Sequence, residues 1–271
     1  MLVAFGNIPE SHRRRIMRYV RFQVGTHVAY GVLGGDIVRE ITAPPYGPYK
    51  VTNQTHKLSA VKLLSPIVPG KIVAIGLNYK SHLGTREAPK VPEGFYKTPT
   101  SVIGTEEAIR IPKTALHEKV HMQPEAEMVF IIGKRAKNVK KADALSYVLG
   151  YTCGNDVSAR DWQQHDLQWW RAKSSDTFSP MGPLIATDLD STKMQLVCRI
   201  NGKVVQEQST GDLVHGVADI IEFISSAITL EPGDAIYTGT PGSPGDIHPG
   251  DVVEVEISGV GVLRNKVEAE A

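Results

Sequence analysis

Five apolar residues in a row, Met128 to Ile132, close on Gly133 and are preceded by Glu125 and Glu127. A run this short, ended by a glycine, reads as a buried strand. Side chains on a strand alternate faces with period two. Glu125 and Glu127 therefore share a face at the mouth of that strand. Two carboxylates so placed repel each other, and the fold must bring something to that face to justify them.

Short apolar runs recur along the chain. "KIVAIG", "VLGYTCGND", "GPLIAT", "MQLVCRING", "DAIYTGT" and "DVVEVEIS" all read as strands. Residues 17–41 alternate and are punctuated by Gly25-Thr26 and Gly34-Gly35, which predicts a three-stranded meander. Helical segments are few: "KKADALSYVL", "SARDWQQHDLQWW" and "DLVHGVADIIEFISSAI". The last carries Leu213, Val217, Ile220, Ile221 and Ile224 at helical spacing. Many strands and few helices predict a mainly β (α+β) protein, with a barrel among its possible forms. No repeat of fixed period is visible. The chain divides into an extension (1–16), a small β-rich N-terminal domain (17–68) and a larger C-terminal domain (69–271).

The net charge is +1, so no global field recruits nucleic acid or an anionic membrane. The basic run His12-Arg13-Arg14-Arg15 reads as a solvated patch. No stretch approaches the ~18 apolar residues of a membrane helix, and the N-terminus lacks a secretory apolar core. Cys153 and Cys198 lie in strand-like apolar segments and read as buried thiols. A reducing cytoplasm fits.

An apolar strand ends at Asn155-Asp156, and Ser158-x-x-Asp161 reads as a capping box opening a helix. Asp156 thus sits at a strand-to-helix junction. Arg160 and Gln163, three apart, share a helix face. If Asp156 meets Glu125 and Glu127, three carboxylates about 5 Å apart repel by roughly 3 kcal/mol per pair at an effective dielectric of 20. Such a group needs a cation or protons, and three oxygens suit Mg²⁺. Spacing alone also allows the three to be ordinary solvated carboxylates.

Five separated segments settle on one resemblance. They are Gly76-Leu77-Asn78-Tyr79-x-x-His82, Pro124-Glu125-Ala126-Glu127, Asn155-Asp156-Val157-Ser158-Ala159-Arg160-Asp161, "AKSSDTFSPMGP" and "EPGDAIYTGTP". In this order, from about Met17 to the C-terminus, the chain resembles the fumarylacetoacetate hydrolase family. The resemblance implies a mixed β-sandwich roll as catalytic domain over 69–271, behind a small N-terminal β domain. It implies that Glu125, Glu127 and Asp156 hold a divalent metal, Mg²⁺ first, with Mn²⁺ and Ca²⁺ as other candidates. Lys173 matches a residue beside the metal and the substrate oxygens. Arg160 and Gln163 match positions that contact substrate oxygens, and Thr240 a substrate-contacting loop. A homodimer is also implied, with Trp169 and Trp170 as packing or interface residues.

The substrates implied are 1,3-dicarbonyls or 2-oxo acids. The metal and Lys173 would stabilise an enolate as a C–C bond breaks. His82 matches the base that activates water, which in many members is supported by a Glu three residues later. Here that position is Thr85, and Gly84 weakens any helix. Glu87, or Glu93 from further along, is the substitute expected. The Gly- and Pro-rich stretch 84–94 reads as a mobile lid. The first expectation is a metal-dependent hydrolase of an acylpyruvate or other 1,3-dicarbonyl 2-oxo acid. The alternative is a lyase or isomerase on a 2-oxo acid: oxaloacetate decarboxylation, tautomerisation, or isomerisation of a hydroxy-dienedioate.

Two further expectations concern stability. A chain starting at Met17 should fold and turn over normally, and lost activity in that truncation would show that the extension has a role. Asp156→Asn should leave the metal-free protein folded, or stabilise it by about 1 kcal/mol through relief of repulsion.

Overall fold

The computed structural model describes residues 16–271. The basic run at 12–15 and the expectation for the N-terminal extension lie outside the described residues.

The chain opens with β1 (Arg18–Val24), β2 (His27–Gly34), β3 (Ile37–Ile41), β4 (Val51–Lys57) and β5 (Lys62–Leu64). Next come β6 (Ile72–Gly76), α1 (Lys80–Leu83), β7 (Glu93–Lys97), β8 (Val102–Ile103), β9 (Ile109–Ile111) and α2 (Lys113–His117). β10 (Met122–Gln123) and β11 (Ala126–Ile132) lead through α3 (Lys141–Ala144) to β12 (Val148–Asn155). β13 (Ser158–Ala159), α4 (Arg160–His165), α5 (Trp170–Ser174) and β14 (Ser179–Ala186) follow. The hairpin β15 (Gln195–Ile200) and β16 (Lys203–Ser209) precedes α6 (Val217–Ala227). β17 (Ala235–Tyr237), β18 (Val252–Ile257) and β19 (Gly261–Ala269) complete the chain.

One large sheet runs β4-β3-β2-β1-β14-β12-β11-β17-β6-β7, with β5 on β1 and β8 on β14. A second runs β16-β15-β18-β19-β9, and its strands pack against β11, β12 and β14. The fold is mainly β, as expected, and the predicted meander forms β1 to β3. β1 pairs with β14 through Arg18↔Ala186 and Tyr19↔Ile185. Residues 17–68 therefore extend the large sheet rather than building one of their own.

All seven residues of β11 are buried. Met128, Phe130 and Ile132 join one core cluster, and Val129 and Ile131 the other. Both faces of the strand are covered, which is why its apolar residues run without a polar break. Its neighbour β12 approaches closely at Gly154. A Cβ there would stand 2.4 Å from Val129 Cγ2 and 2.6 Å from Tyr237 Cε1.

The helices are shorter than their patterns suggest. "KKADALSYVL" gives α3 and one 3₁₀ turn, because pairing with Ile132 claims the chain from Val148 onward. Leu213 lies ahead of α6 in a bridge with Tyr79. The capping box does not form. Ser158 is paired with Gln123 in β13, and its hydroxyl donates to the Asp156 carbonyl at 2.8 Å. The Asp161 carboxylate instead accepts the His121 backbone N–H at 2.7 Å.

Candidate active site

Strand register builds the acidic group. Ala126 pairs with Asn155 across β11 and β12. One residue beyond, the Asp156 N–H donates to the Glu125 carbonyl at 2.8 Å. The Glu125 N–H donates to the Asn155 side-chain oxygen at 3.0 Å. Period two adds Glu127 on the same face. Oxygens of Glu125, Glu127 and Asp156 lie within 4.8 Å of one another, and all three residues are buried.

Three cations reach the same point. Lys173, on α5, places its ammonium 2.5 Å from Glu125 Oε2 and 2.8 Å from Asp156 Oδ2. Lys97, at the end of edge strand β7, stands 2.5 Å from Asp156 Oδ1 and also donates to the Lys173 carbonyl. Arg160, at the start of α4, reaches Glu125 Oε1 at 2.6 Å. Its other nitrogens donate to Gln123 Oε1 at 2.7 Å and Gln163 Oε1 at 2.9 Å. The uncompensated repulsion expected from three carboxylates is therefore not what the fold contains.

Compensation is uneven, and the ionisation follows it. Burial alone would raise the Glu125 pKa, but the charges of Lys173, Arg160 and His82 outweigh it and hold the group well below the usual range. Glu127 is pushed well above it by burial and by the charges of Asp156 and Glu125. Glu127 accepts only the Gly239 N–H, at 2.6 Å, and has no ion pair among the described residues. Burial lowers the Lys97 pKa despite its one carboxylate partner. Burial also opposes the charge on Lys173, but two carboxylates raise its pKa on balance.

A hard divalent cation fits this donor set. The ligands are all oxygen, they converge, and the buried Glu127 lacks a cationic partner. Three protein oxygens would leave further coordination positions for water or substrate.

His82 lies on α1 with its Nε2 3.9 Å from Glu125 Oε1. Its Nδ1 is hydrogen-bonded to the Gly242 carbonyl. A carbonyl only accepts, so Nδ1 carries a proton, and Nε2 is turned toward the carboxylates. Glu87 is exposed and makes no hydrogen bond or ion pair among the described residues. Glu93 is also exposed, in β7 opposite Gly76. The expected carboxylate support for His82 gives way to a backbone carbonyl, because Gly84, with φ 60°, ends α1 and turns the chain outward.

The cavity here is lined by Leu77, His82, Phe95, Gln163, Trp169 and Thr240 around the charged group. Its 40 Å³ holds a few waters, less than a 2-oxo acid needs. Leu77 has φ 56°, a left-handed conformation costly for a side chain with a Cβ.

Sequence reasoning named His82, Glu125, Glu127, Asp156, Gln163, Lys173 and Thr240, and the structure brings them to one cavity, with Arg160 tied to Glu125. It missed Lys97, though Phe95 and Lys97 sit two apart on β7 and so share a face. It also missed Gln206 on β16. That side chain accepts the Ala126 N–H at 3.1 Å and donates to Thr240 Oγ1 at 2.7 Å. No local signal marks it. The sequence pairs Trp169 with Trp170 as packing or interface residues, and the structure separates them. Trp169 lines the cavity, its ring edge-on to Phe95 at 5.3 Å, while Trp170 is exposed.

Gly239, which donates to Glu127, has φ +98°, and a Cβ there would lie 2.8 Å from Asn78 Cβ and 2.9 Å from the Ile75 carbonyl. Gly239→Ala should lower stability by about 1–3 kcal/mol and weaken metal-induced stabilisation. Urea unfolding with and without Mg²⁺ measures both, and a fully wild-type response would contradict this geometry.

Residues 71–268 match the family model described as fumarylacetoacetate (FAA) hydrolase C-terminal, and residues 17–66 match one described as Rv2993c-like, N-terminal. Protein Rv2993c of Mycobacterium tuberculosis is 41% identical over 93% of this chain and 98% of its own length. Oxaloacetate tautomerase fahd2, mitochondrial, of Xenopus laevis is 40% identical over 77% of this chain and 69% of its own. The crystal structure of 5-carboxymethyl-2-hydroxymuconate delta-isomerase from Mycobacterium smegmatis is 39% identical, with a TM-score of 0.87 over 94% of this chain and 100% of that one. The buried carboxylate triad, the ordered motifs and these matches agree: the chain belongs to the fumarylacetoacetate hydrolase family.

Proposed function

We propose that this family member moves a proton on a 2-oxo acid, by keto–enol tautomerisation or double-bond isomerisation, rather than hydrolysing a C–C bond. The observation that carries this is the environment of His82. Water activation asks for a base whose protonated form is stabilised, which a carboxylate partner does well. The Gly242 carbonyl orients the ring through Nδ1 but brings no full negative charge, and the carboxylate nearest Nε2, Glu125 at 3.9 Å, is engaged by Lys173 and Arg160 and counted among the cation ligands. A proton next to a 2-oxo group is acidic enough for a neutral imidazole to take and return. Relatives named for tautomerase and isomerase activity support the same class.

Glu125, Glu127 and Asp156 would hold a divalent cation, Mg²⁺ by donor type, which when bound would act as a Lewis acid on neighbouring substrate oxygens. His82 Nε2 takes the proton from carbon and returns it at the second site. Lys97 and Lys173 supply fixed positive charge where negative charge develops. Arg160, held by Gln123 and Gln163, orients the substrate carboxylate. Thr240 and Trp169 bound the cavity.

Freshly dissolved oxaloacetate and acetylpyruvate test the reading, with product analysis by NMR in deuterated water. The expected result is faster enol–keto interconversion with deuterium entering at carbon and the skeleton intact. Acetate plus pyruvate from acetylpyruvate would establish hydrolysis instead, and pyruvate plus CO₂ from oxaloacetate a lyase. A homodimer belongs to the same reading, since Leu167 and Trp170 stand 96% and 68% exposed and a partner would cover such side chains. Light scattering that gives the chain mass of 29.6 kDa at micromolar concentration would exclude it.

A further inference from the structure

We propose that Gln206 is a positioning residue for the proton transfer: its carboxamide clamps the loop at Thr240 and Pro241 to Ala126, and through that loop sets where His82 stands over the carboxylates. The consequence for turnover rests on reading His82 as the base. Gln206 is the only buried residue of β16, at 4% exposed. Glutamine is mostly an exposed residue, and a buried one must be hydrogen-bonded to be tolerated. Its Oε1 accepts the Ala126 N–H at 3.1 Å, and its Nε2 donates to Thr240 Oγ1 at 2.7 Å and to the Pro241 carbonyl at 2.6 Å. Thr240 Oγ1 in turn donates to the Ala126 carbonyl at 2.9 Å. A backbone N–H only donates and a carbonyl only accepts, so the amide has one orientation here. The position asks for an acceptor and two donors on one short group, which glutamine supplies and a carboxylate does not.

The clamp stands where strand pairing has run out. β17 pairs with β11 over Val129, Phe130 and Ile131, and Ala126 lies beyond that stretch. On the other side, Asp156 and Asn155 take the backbone groups of Glu125. Ala126 is the next residue, so its own N–H and carbonyl point away from β12, and buried backbone groups must find partners. Gln206 and Thr240 are those partners. The same loop meets the site at both ends. The Gly239 N–H donates to Glu127 Oε2 at 2.6 Å. The Gly242 carbonyl accepts from His82 Nδ1, and the Gly242 N–H donates to Ser81 Oγ on α1 at 3.1 Å. Gln206 grips the loop between these ends, and none of its hydrogen bonds reaches His82 or a side chain of the carboxylate group. It therefore acts on the reaction through geometry. A displacement of about 1 Å between a base and the reacting atom can cost about 10²-fold in rate.

Gln206→Met keeps the length of the side chain and removes all three hydrogen bonds. The test uses the full chain labelled with ¹⁵N-histidine, in which the His82 Nδ1–H signal is identified by its loss in His82→Gln. In Gln206→Met that proton should exchange with solvent roughly tenfold faster than in wild type, or more. The kcat for deuterium entry into oxaloacetate should fall roughly 10–10²-fold, with KM within about threefold of wild type. Added to His82→Gln, the same change should lower kcat by no more than about twofold, because the two residues act in one line. Gln206→Glu keeps the acceptor for Ala126 and should lose roughly three- to tenfold in kcat, so the test survives if Gln206→Met does not fold. An unchanged His82 signal in the folded variant would overturn the clamp. So would equal losses of kcat with and without His82, which a purely structural role predicts. Wild type that brings no deuterium into oxaloacetate would overturn the tautomerisation reading alone, because the histidine signal then still decides the clamp.

Discussion

Asp156→Asn should destabilise the metal-free protein by about 3 kcal/mol or more. That is the reverse of the gain expected when only the three carboxylates are considered. Asp156 is the carboxylate shared by Lys97 at 2.5 Å and Lys173 at 2.8 Å. Lys173 keeps Glu125 after the change. Lys97 keeps no carboxylate, only the Lys173 carbonyl, and its ammonium side chain is 0% exposed. Removing one partner of a buried pair strands the other, and measured costs run to ~3–5 kcal/mol. Deprotonation of Lys97 would soften the loss without abolishing it. The variant should also lose most of the thermal stabilisation that millimolar Mg²⁺ confers on wild type by mass action. Urea unfolding with chelator, then melting curves with excess Mg²⁺, read the two effects separately. A chelated variant as stable as wild type would contradict the ion-pair geometry, and equal Mg²⁺ responses in the two proteins would remove Asp156 from the ligand set.

His82→Gln should lower kcat by roughly 10²–10⁴-fold, the usual contribution of a positioned acid–base group. Stability and the Mg²⁺ response should change little, because His82 is partly exposed on the short helix α1 and its only contact with the triad is the 3.9 Å approach to Glu125. Glu87→Gln, exposed and without a partner among the described residues, should turn over within about twofold of wild type. The contrast separates a histidine set by a backbone carbonyl from one supported by a downstream carboxylate. Full activity in His82→Gln would remove the histidine from the mechanism. A large loss in Glu87→Gln would mean that the segment after α1 swings in when substrate binds, and would return hydrolysis to consideration.

The Glu-x-Glu pair shows what local chemistry alone could determine. A strand has period two, so Glu125 and Glu127 share a face whatever the rest of the chain does. The apolar run behind them had to be covered, and it is, on both sides. Asp156 at the end of a second strand, His82 after Asn78-Tyr79, and Lys173 were legible as motifs for the same reason: each is defined by its immediate neighbours. The mainly β class followed from short runs and turn residues in the same way.

The charge on the site was not legible. Lys97 lies 59 residues before Asp156, on an edge strand where a lysine ordinarily faces water. It is buried because β7 pairs with β6, β6 with β17 and β17 with β11, which brings its end over the carboxylates. Gly242 reaches His82 across 160 residues, displacing the carboxylate that motif reasoning had looked for in the next turn of chain. The capping box failed because a strand partner, Gln123, claimed Ser158 first. Periodicity and capping depend on residues a few positions apart, so the sequence by itself determines which side chains face together along one element. Which distant groups meet them, and hence whether a cluster of like charges is strained or neutralised, depends on register between strands far apart in the chain, and only the tertiary structure decides that.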